Sequence, residues 1–203
     1  NPVSTAIALL AIASLGLQAQ VPQFNVTVLL KSQPSPNTDY IDGINNKGET
    51  VGNWIIGNGT PTPVQSGCML VYPNSTAINL QGLSGCTAYD INDETDIVGS
   101  CPTGNPSPDN AYGVFYTLAG GAVNLGGKDA LAMAINNAGQ IVGYSFVGNS
   151  PFLHAVIFLK NGTLIDLGTL PGNTNTSRAY GINDRYGTDG LGQIVGLSST
   201  FAA

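Results

Sequence analysis

The sequence predicts an all-β fold, a four-repeat β-propeller-like domain of about 45 residues per repeat behind an apolar N-terminal segment. The first observation is a phrase that recurs four times: Gly43-Ile44-Asn45-Asn46 through Val51-Gly52, Asp90-Ile91-Asn92-Asp93 through Val98-Gly99, Ala134-Ile135-Asn136-Asn137 through Val142-Gly143, and Gly181-Ile182-Asn183-Asp184 through Val195-Gly196. Its Ile-Asn steps lie 47, 44 and 47 residues apart, and a fixed period in this range marks a stack or ring of equivalent small units. The second is that each phrase sets two short β-prone runs around Asn, Asp or Gly. These residues tolerate positive φ, so the phrase reads as a tight hairpin. The third is that two more β-prone runs follow in three of the units. Four short strands per unit is the pattern of a propeller blade.

Residues 1–22 form a segment of their own, and residues 23–203 form the repeat domain. Val3 to Leu17 is almost wholly apolar, and Val3, Ala6, Ile7, Leu9, Leu10, Ile12, Ala13, Leu15 and Leu17 are its candidate assembly residues. Three uses of such a run are open. As a helix opening at Pro2 it would be about 25 Å long, slightly short for a free membrane span, and helices from many subunits would bury it. As a strand, Thr5–Ala13 would be donated to an incomplete unit of this chain or of a neighbour, against the preference of its alanines. As a signal peptide or anchor it would be an apolar core with Leu17-Gln18-Ala19 as the cleavage site. The helical use resembles type IV pilins, especially archaeal ones, whose mature chains start at an apolar helix. Thr5 stands where bacterial pilins carry Glu.

Phe24–Leu30 matches the fourth run of a unit and precedes the first hairpin. The third runs are Gly67–Tyr72, Tyr112–Tyr116 and His154–Leu159; the fourth are Ala77–Leu80, Ala122–Leu125 and Leu164–Leu167. Lys160-Asn161-Gly162-Thr163 is the clearest of the turns between them. Gly52, Gly99, Gly143 and Gly196 fall inside second strands. They predict a bulge or a close backbone approach, as at the crowded centre of a ring. The last unit supplies a first and a second strand, so a closing blade would add Phe24–Leu30 and lack its third strand.

These runs resemble the extracellular HAF-repeat proteins, whose unit joins a His-Ala-Phe-like strand, an Asp-Leu-Gly strand and an Ile-Asn-x-x-Gly-x-Ile-Val-Gly hairpin. The likeness covers about residues 24–200 and is clearest from His154-Ala155-Val156 through Asp166-Leu167-Gly168 to Ala179-Tyr180-Gly181-Ile182-Asn183. Val156 replaces Phe, the first two units lack the His, and about six residues are inserted around Arg185–Gly190. The resemblance implies export and a propeller-like fold, and no defined activity.

Only 9% of the residues are charged and the net charge is −6. Six basic residues scattered singly cannot form a phosphate-tracking patch, which excludes nucleic acid as the main partner. Asn25, Asn58, Asn74, Asn161 and Asn175 open Asn-x-Ser/Thr sequons, candidate N-glycosylation sites that mostly fall in turns. Cys86 and Cys101 flank the second hairpin and form a candidate cross-strand disulfide; Cys68, in a strand, is left as a buried thiol.

His154 is the only histidine, which leaves a metal site or a charge-relay triad poorly supplied. Asp90, Asp93, Glu94 and Asp96 cluster on one turn, as in a weak Ca²⁺ site or as solvated turn acids. Tyr40, Tyr89 and Tyr180 recur ahead of the Asn, with Met133 in the third unit, as core packing or as a carbohydrate-binding face. The expectation is therefore a non-enzymatic chain without metal or cofactor. It is a pilin-like structural subunit of an extracellular filament or cell-surface assembly, partnered by itself and displaying its repeat domain. The alternative is a secreted, monomeric lectin-like or adhesive module for glycans or cell surfaces.

Overall fold

The computed structural model of the chain describes residues 38–56, 65–104, 110–172, 175–186, 190 and 192–199. The apolar segment Val3–Leu17, the run Phe24–Leu30 and the sequons at Asn25 and Asn58 lie outside them. The described residues are all-β and contain fourteen strands. β1 (Thr38–Ile44), β2 (Thr50–Ile56), β3 (Gln65–Val71) and β4 (Ala77–Ser84) form the first sheet. β5 (Thr87–Ile91), β6 (Ile97–Pro102), β7 (Ala111–Thr117) and β8 (Gly121–Gly126) form the second. β9 (Lys128–Ile135), β10 (Ile141–Phe146), β11 (Leu153–Phe158) and β12 (Leu164–Gly168) form the third, and β13 (Thr176–Tyr186) pairs with β14 (Gly192–Ser199) in the fourth. Every sheet is an antiparallel meander in chain order, and no strand of one sheet pairs with a strand of another among the described residues.

The turns follow from short-range chemistry. In 45–49, 92–96 and 136–140 the first residue's N–H donates to the carbonyl four residues on, and its carbonyl accepts from the residue three on. That is a type I turn closed by a residue at positive φ. The position is filled by Gly48, Gly139 and, in the second unit, Thr95 at φ 64°. The turns 72–76 and 159–163 repeat the pattern with Ser75 and Gly162.

Each first strand carries a bulge at the same place, whose extra residue is Asp42, Tyr89, Met133 or Tyr180, and the β9–β10 and β13–β14 pairings each have a second irregularity. The partner strand answers with Gly52, Gly99, Gly143 or Gly196. A Cβ on any of these would overlap the carbonyl oxygen of Tyr40, Thr87, Leu131 or Arg178 respectively. The close approach predicted from these glycines is therefore present, but it comes from the paired strand at the bulge and not from a ring centre.

The sheets meet through their first strands. β5 packs on β2 and β1, β9 on β7, β6 and β5, and β13 on β10, β11 and β9. Each junction has its own apolar cluster. Val51, Cys68 and Leu70 meet Ala88, Ile91 and Ile97 at the first. Val98, Phe115 and Leu125 meet Ala132, Ile135 and Ile141 at the second. Val142, Ala155 and Ile157 meet Ala179, Ile182 and Ile194 at the third. The core is thus a row of small cores between neighbours, as in a repeat protein whose units touch only the next in line.

Cys86 and Cys101 are joined by a disulfide, with Cα atoms 4.2 Å apart as the next cross-strand pair beyond Thr87 and Ser100. Cys68 is a free, buried thiol, and burial pushes its pKa up to about 12. In the native protein a thiolate-specific reagent should therefore label no cysteine. Denaturation without reductant should expose one thiol, and denaturation with reductant three. Reduction alone should cost about 3 kcal/mol of stability for a loop of this length.

Candidate functional site

Among the described residues a dense set of hydrogen bonds runs along the edge where the phrase turns lie side by side. The first Asn of each turn is the organising side chain. Asn45 Oδ1 accepts the Lys47 and Glu49 N–H groups, Asn92 Oδ1 those of Glu94 and Asp96, and Asn136 Oδ1 those of Ala138 and Gln140, at 2.9–3.1 Å. The amide nitrogens point along the array. Asn45 Nδ2 donates to Asn92 O (2.9 Å), Asn92 Nδ2 to Asn136 O (3.1 Å), and Asn136 Nδ2 to Asn183 O (3.1 Å). Only an amide of this length accepts from its own turn and donates to the next. The sequence marked these residues as turn formers and did not foresee that they also join unit to unit.

The second residue of each turn builds a parallel row. Asn46 donates through its backbone and its amide to the two carboxylate oxygens of Asp93 (2.8 Å each). Asp93 N donates to Asn137 Oδ1 (2.8 Å), and Asn137 Nδ2 returns to Asp93 Oδ2 (2.9 Å). Asn137 then donates through N and Nδ2 to the Asp184 carboxylate (2.7 and 2.9 Å). The amides and acids alternate, so donors always meet acceptors.

The acids of the predicted cluster are engaged by separate partners. Asp93 is held by Asn46 and Asn137, Asp90 Oδ2 accepts the Ile135 N–H (3.0 Å), and Asp96 lies 3.6 Å from Lys160 Nζ. Among the described residues no three His, Cys, Asp or Glu side chains come together as metal ligands. In the last unit β13 runs on to Tyr186, and Gln140 bonds the inserted stretch at Gly190 O (2.8 Å) and Gly192 N (2.9 Å).

His154 sits between two partners. Its Nδ1 is 2.9 Å from Asp166 Oδ2, and its Nε2 is 3.4 Å from Ser150 Oγ. The order Ser–His–Asp is that of a charge relay, and the sequence did not disclose Ser150. Yet Ser150 Oγ also accepts from Phe152 N and donates to Phe152 O, both at 3.1 Å, which spends its one proton on its own turn. The trio clasps β11 and β12 to the loop before them.

The tyrosines do not form a repeated face. Tyr89 and Tyr180 are bulge residues, whereas Tyr40 lies two positions before the bulge of its strand. Tyr89 OH bonds Ser100 Oγ at 3.2 Å, and Tyr180 meets Tyr144 edge to face with ring centres 6.3 Å apart. Arg178 lies over the Tyr144 ring.

A groove of about 320 Å³ opens beside β13 and β14, lined by Leu167, Leu170, Arg178, Ile194 and Leu197 among others. Its origin is topological. In the second unit Val114 and Tyr116 of the third strand fill the first junction, and in the third unit Val156 and Phe158 fill the second. The fourth sheet has no third strand among the described residues. Of the sequons, Asn74 and Asn161 sit exposed on equivalent turns, each accepting the N–H of its own Thr at 3.0 Å. Asn175 is half-buried just before β13. No family model, curated protein or solved structure matches the chain.

Two predictions follow from the turn rows. Asn92→Ala strips acceptors from two turn N–H groups and removes one of the two donors to the Asn136 carbonyl, leaving it only the Gly139 N–H. It should cost about 3 kcal/mol in denaturant unfolding, and Asn92→Asp should restore only the share owed to the two turn N–H groups, because a carboxylate cannot donate to Asn136 O. The Asn46 amide and N–H, then Asn137, hold the Asp93 carboxyl below its ordinary value near 3.8. A depressed carboxyl stabilises the fold above that ordinary value, and the contribution is lost as pH falls through the lower, folded one. Asp90 runs the opposite way, its pKa raised by burial, so its contribution is present in acid and fades as pH rises. Unfolding midpoints measured from about pH 5 down to about pH 2 should fall less steeply in Asp93→Asn than in the parent chain.

Proposed function

We propose that the chain is a non-enzymatic structural subunit of an extracellular filament or cell-surface assembly. In this reading its sheets are the blades of a propeller-like HAF-repeat array, and it polymerises through residues 1–22. The observation that carries the reading is the apolar groove beside β13 and β14, where no third strand covers the fourth sheet among the described residues, together with the exposed side chains of Val195 and Leu197. Apolar surface of this kind, rimmed by polar turns, is characteristic of association sites. The disulfide and the sparse charge support an oxidising, extracellular setting. The lectin-like alternative needs an array of equivalent aromatics, and Tyr40, Tyr89 and Tyr180 do not supply one.

Electron microscopy and sedimentation velocity on the full chain, beside a variant lacking residues 1–22, test the proposal. The full chain should form filaments or large assemblies. The truncated variant should remain soluble, keep its β-sheet circular dichroism and no longer form them. A full chain that sediments as a monomer at every concentration would sink the reading.

A further inference from the structure

Among the described residues one interface is made three times, and each of its halves is exposed once. The valine of the phrase points at the following unit. Val51, Val98 and Val142 are each 0% exposed there, whereas Val195 is 65% exposed. The isoleucine of the phrase points at the preceding unit. Ile91 and Ile135 are 3% and 5% exposed, whereas Ile44 is 66% exposed, and Ile41, which replaces the buried Ala88, Ala132 and Ala179, is 40% exposed. Gly181 repeats the glycine at Gly43, where a Cβ would come within 2.8 Å of Asp90 Cα in the next sheet; at Gly181 the side chain of Val195 is the neighbour within 4 Å.

We propose that a second copy of this chain docks head to tail, its Ile41/Ile44 face on the Val195 face of the first copy. The inference rests on the self-association reading above and names the contact. Continuity with the internal junctions carries it. Across each of them a first strand presents an isoleucine to the valine of the unit before. The turn row continues in the same sense. The series Asn46, Asp93, Asn137, Asp184 alternates amide and acid, so the residue that follows Asp184 should be an amide. Asn46 of the next copy supplies it, in the relation that Asn137 bears to Asp93. Tail-to-tail docking would set Asp184 against Asp184, two carboxylates with no donor between them. Among the described residues the repeated junctions leave Ile44 and Val195 both exposed, and a second copy would cover them without altering any junction. Such a heterologous contact propagates into a filament unless its rotation closes a ring.

Oxidative cross-linking of the full chain tests this with two exposed substitutions, N46C and D184C; Cys68 is buried and stays silent. A mixture of the two single variants should give a disulfide-linked dimer, each alone should give none above background, and the double variant should give a ladder of multimers. As a second measurement, V195E, at an exposed site that leaves the fold intact by circular dichroism, should weaken association by at least about tenfold. An internal disulfide in a monomeric double variant would overturn the proposal in favour of ring closure within one chain. Homotypic dimers would overturn it in favour of a two-fold contact. Assembly of the full chain without any cross-link would overturn this interface while sparing the self-association reading, and a chain that neither associates nor cross-links overturns both.

Discussion

The amide of the turn asparagine is the constraint on which the rest of the fold depends. A hairpin of five or so residues a strand is marginal alone, and each unit here must be completed by its neighbours. Asn45, Asn92 and Asn136 solve both problems with one group, because the oxygen fixes the turn and the nitrogen fixes the next unit relative to it. Once turn and neighbour are set, the isoleucine before the Asn is aimed into the previous junction and the valine after the turn into the next. The period of the sequence is therefore the period of a hydrogen-bond row, with the apolar clusters following from it.

The bulge opposite the strand glycine serves the same end. An extra residue in the first strand sharpens its twist, and the missing Cβ on the second strand makes room for the displaced carbonyl. Variation is tolerated where these two features survive. Thr95 occupies a left-handed position that a β-branched residue disfavours. Its hydroxyl recovers part of the cost by donating to Glu49 Oε2 at 2.7 Å across the first junction. The inserted stretch of the last hairpin leaves the pairing of Ile182 with Ile194 in place, and Asn183 Oδ1 still accepts the Gln193 N–H at 2.8 Å.

Much of this was legible because it is local. Hairpin phrases, third and fourth strands and the Cys86–Cys101 pairing depend on residues close in sequence, and the strands fall within a few residues of the runs read from it. The reason for the glycines was misplaced, since the crowding carbonyl lies on the paired strand. The amide–acid alternation escaped notice because a match between residues 47 positions apart has meaning only once the turns are known to stack. Ser150 beside His154 was invisible for a simpler reason: a serine in a Gly-Asn-Ser-Pro loop reads as a turn residue, and by its bonds to Phe152 it largely is one.

A one-dimensional array gains stability from each unit and from each junction, so the units at its ends, with one junction instead of two, are its least supported parts. Among the described units the first and the fourth carry the exposed members of the repeated pattern, Ile44 and Val195, and their turn residues Asn46 and Asp184 are exposed where Asp93 and Asn137 are half-buried. A monomeric repeat protein ordinarily replaces such positions with polar residues, because apolar ends invite association. Ile44 and Val195 are apolar nonetheless, and they repeat the two halves of the internal junctions. On the proposed head-to-tail contact these two faces would meet as the interior isoleucines and valines already do.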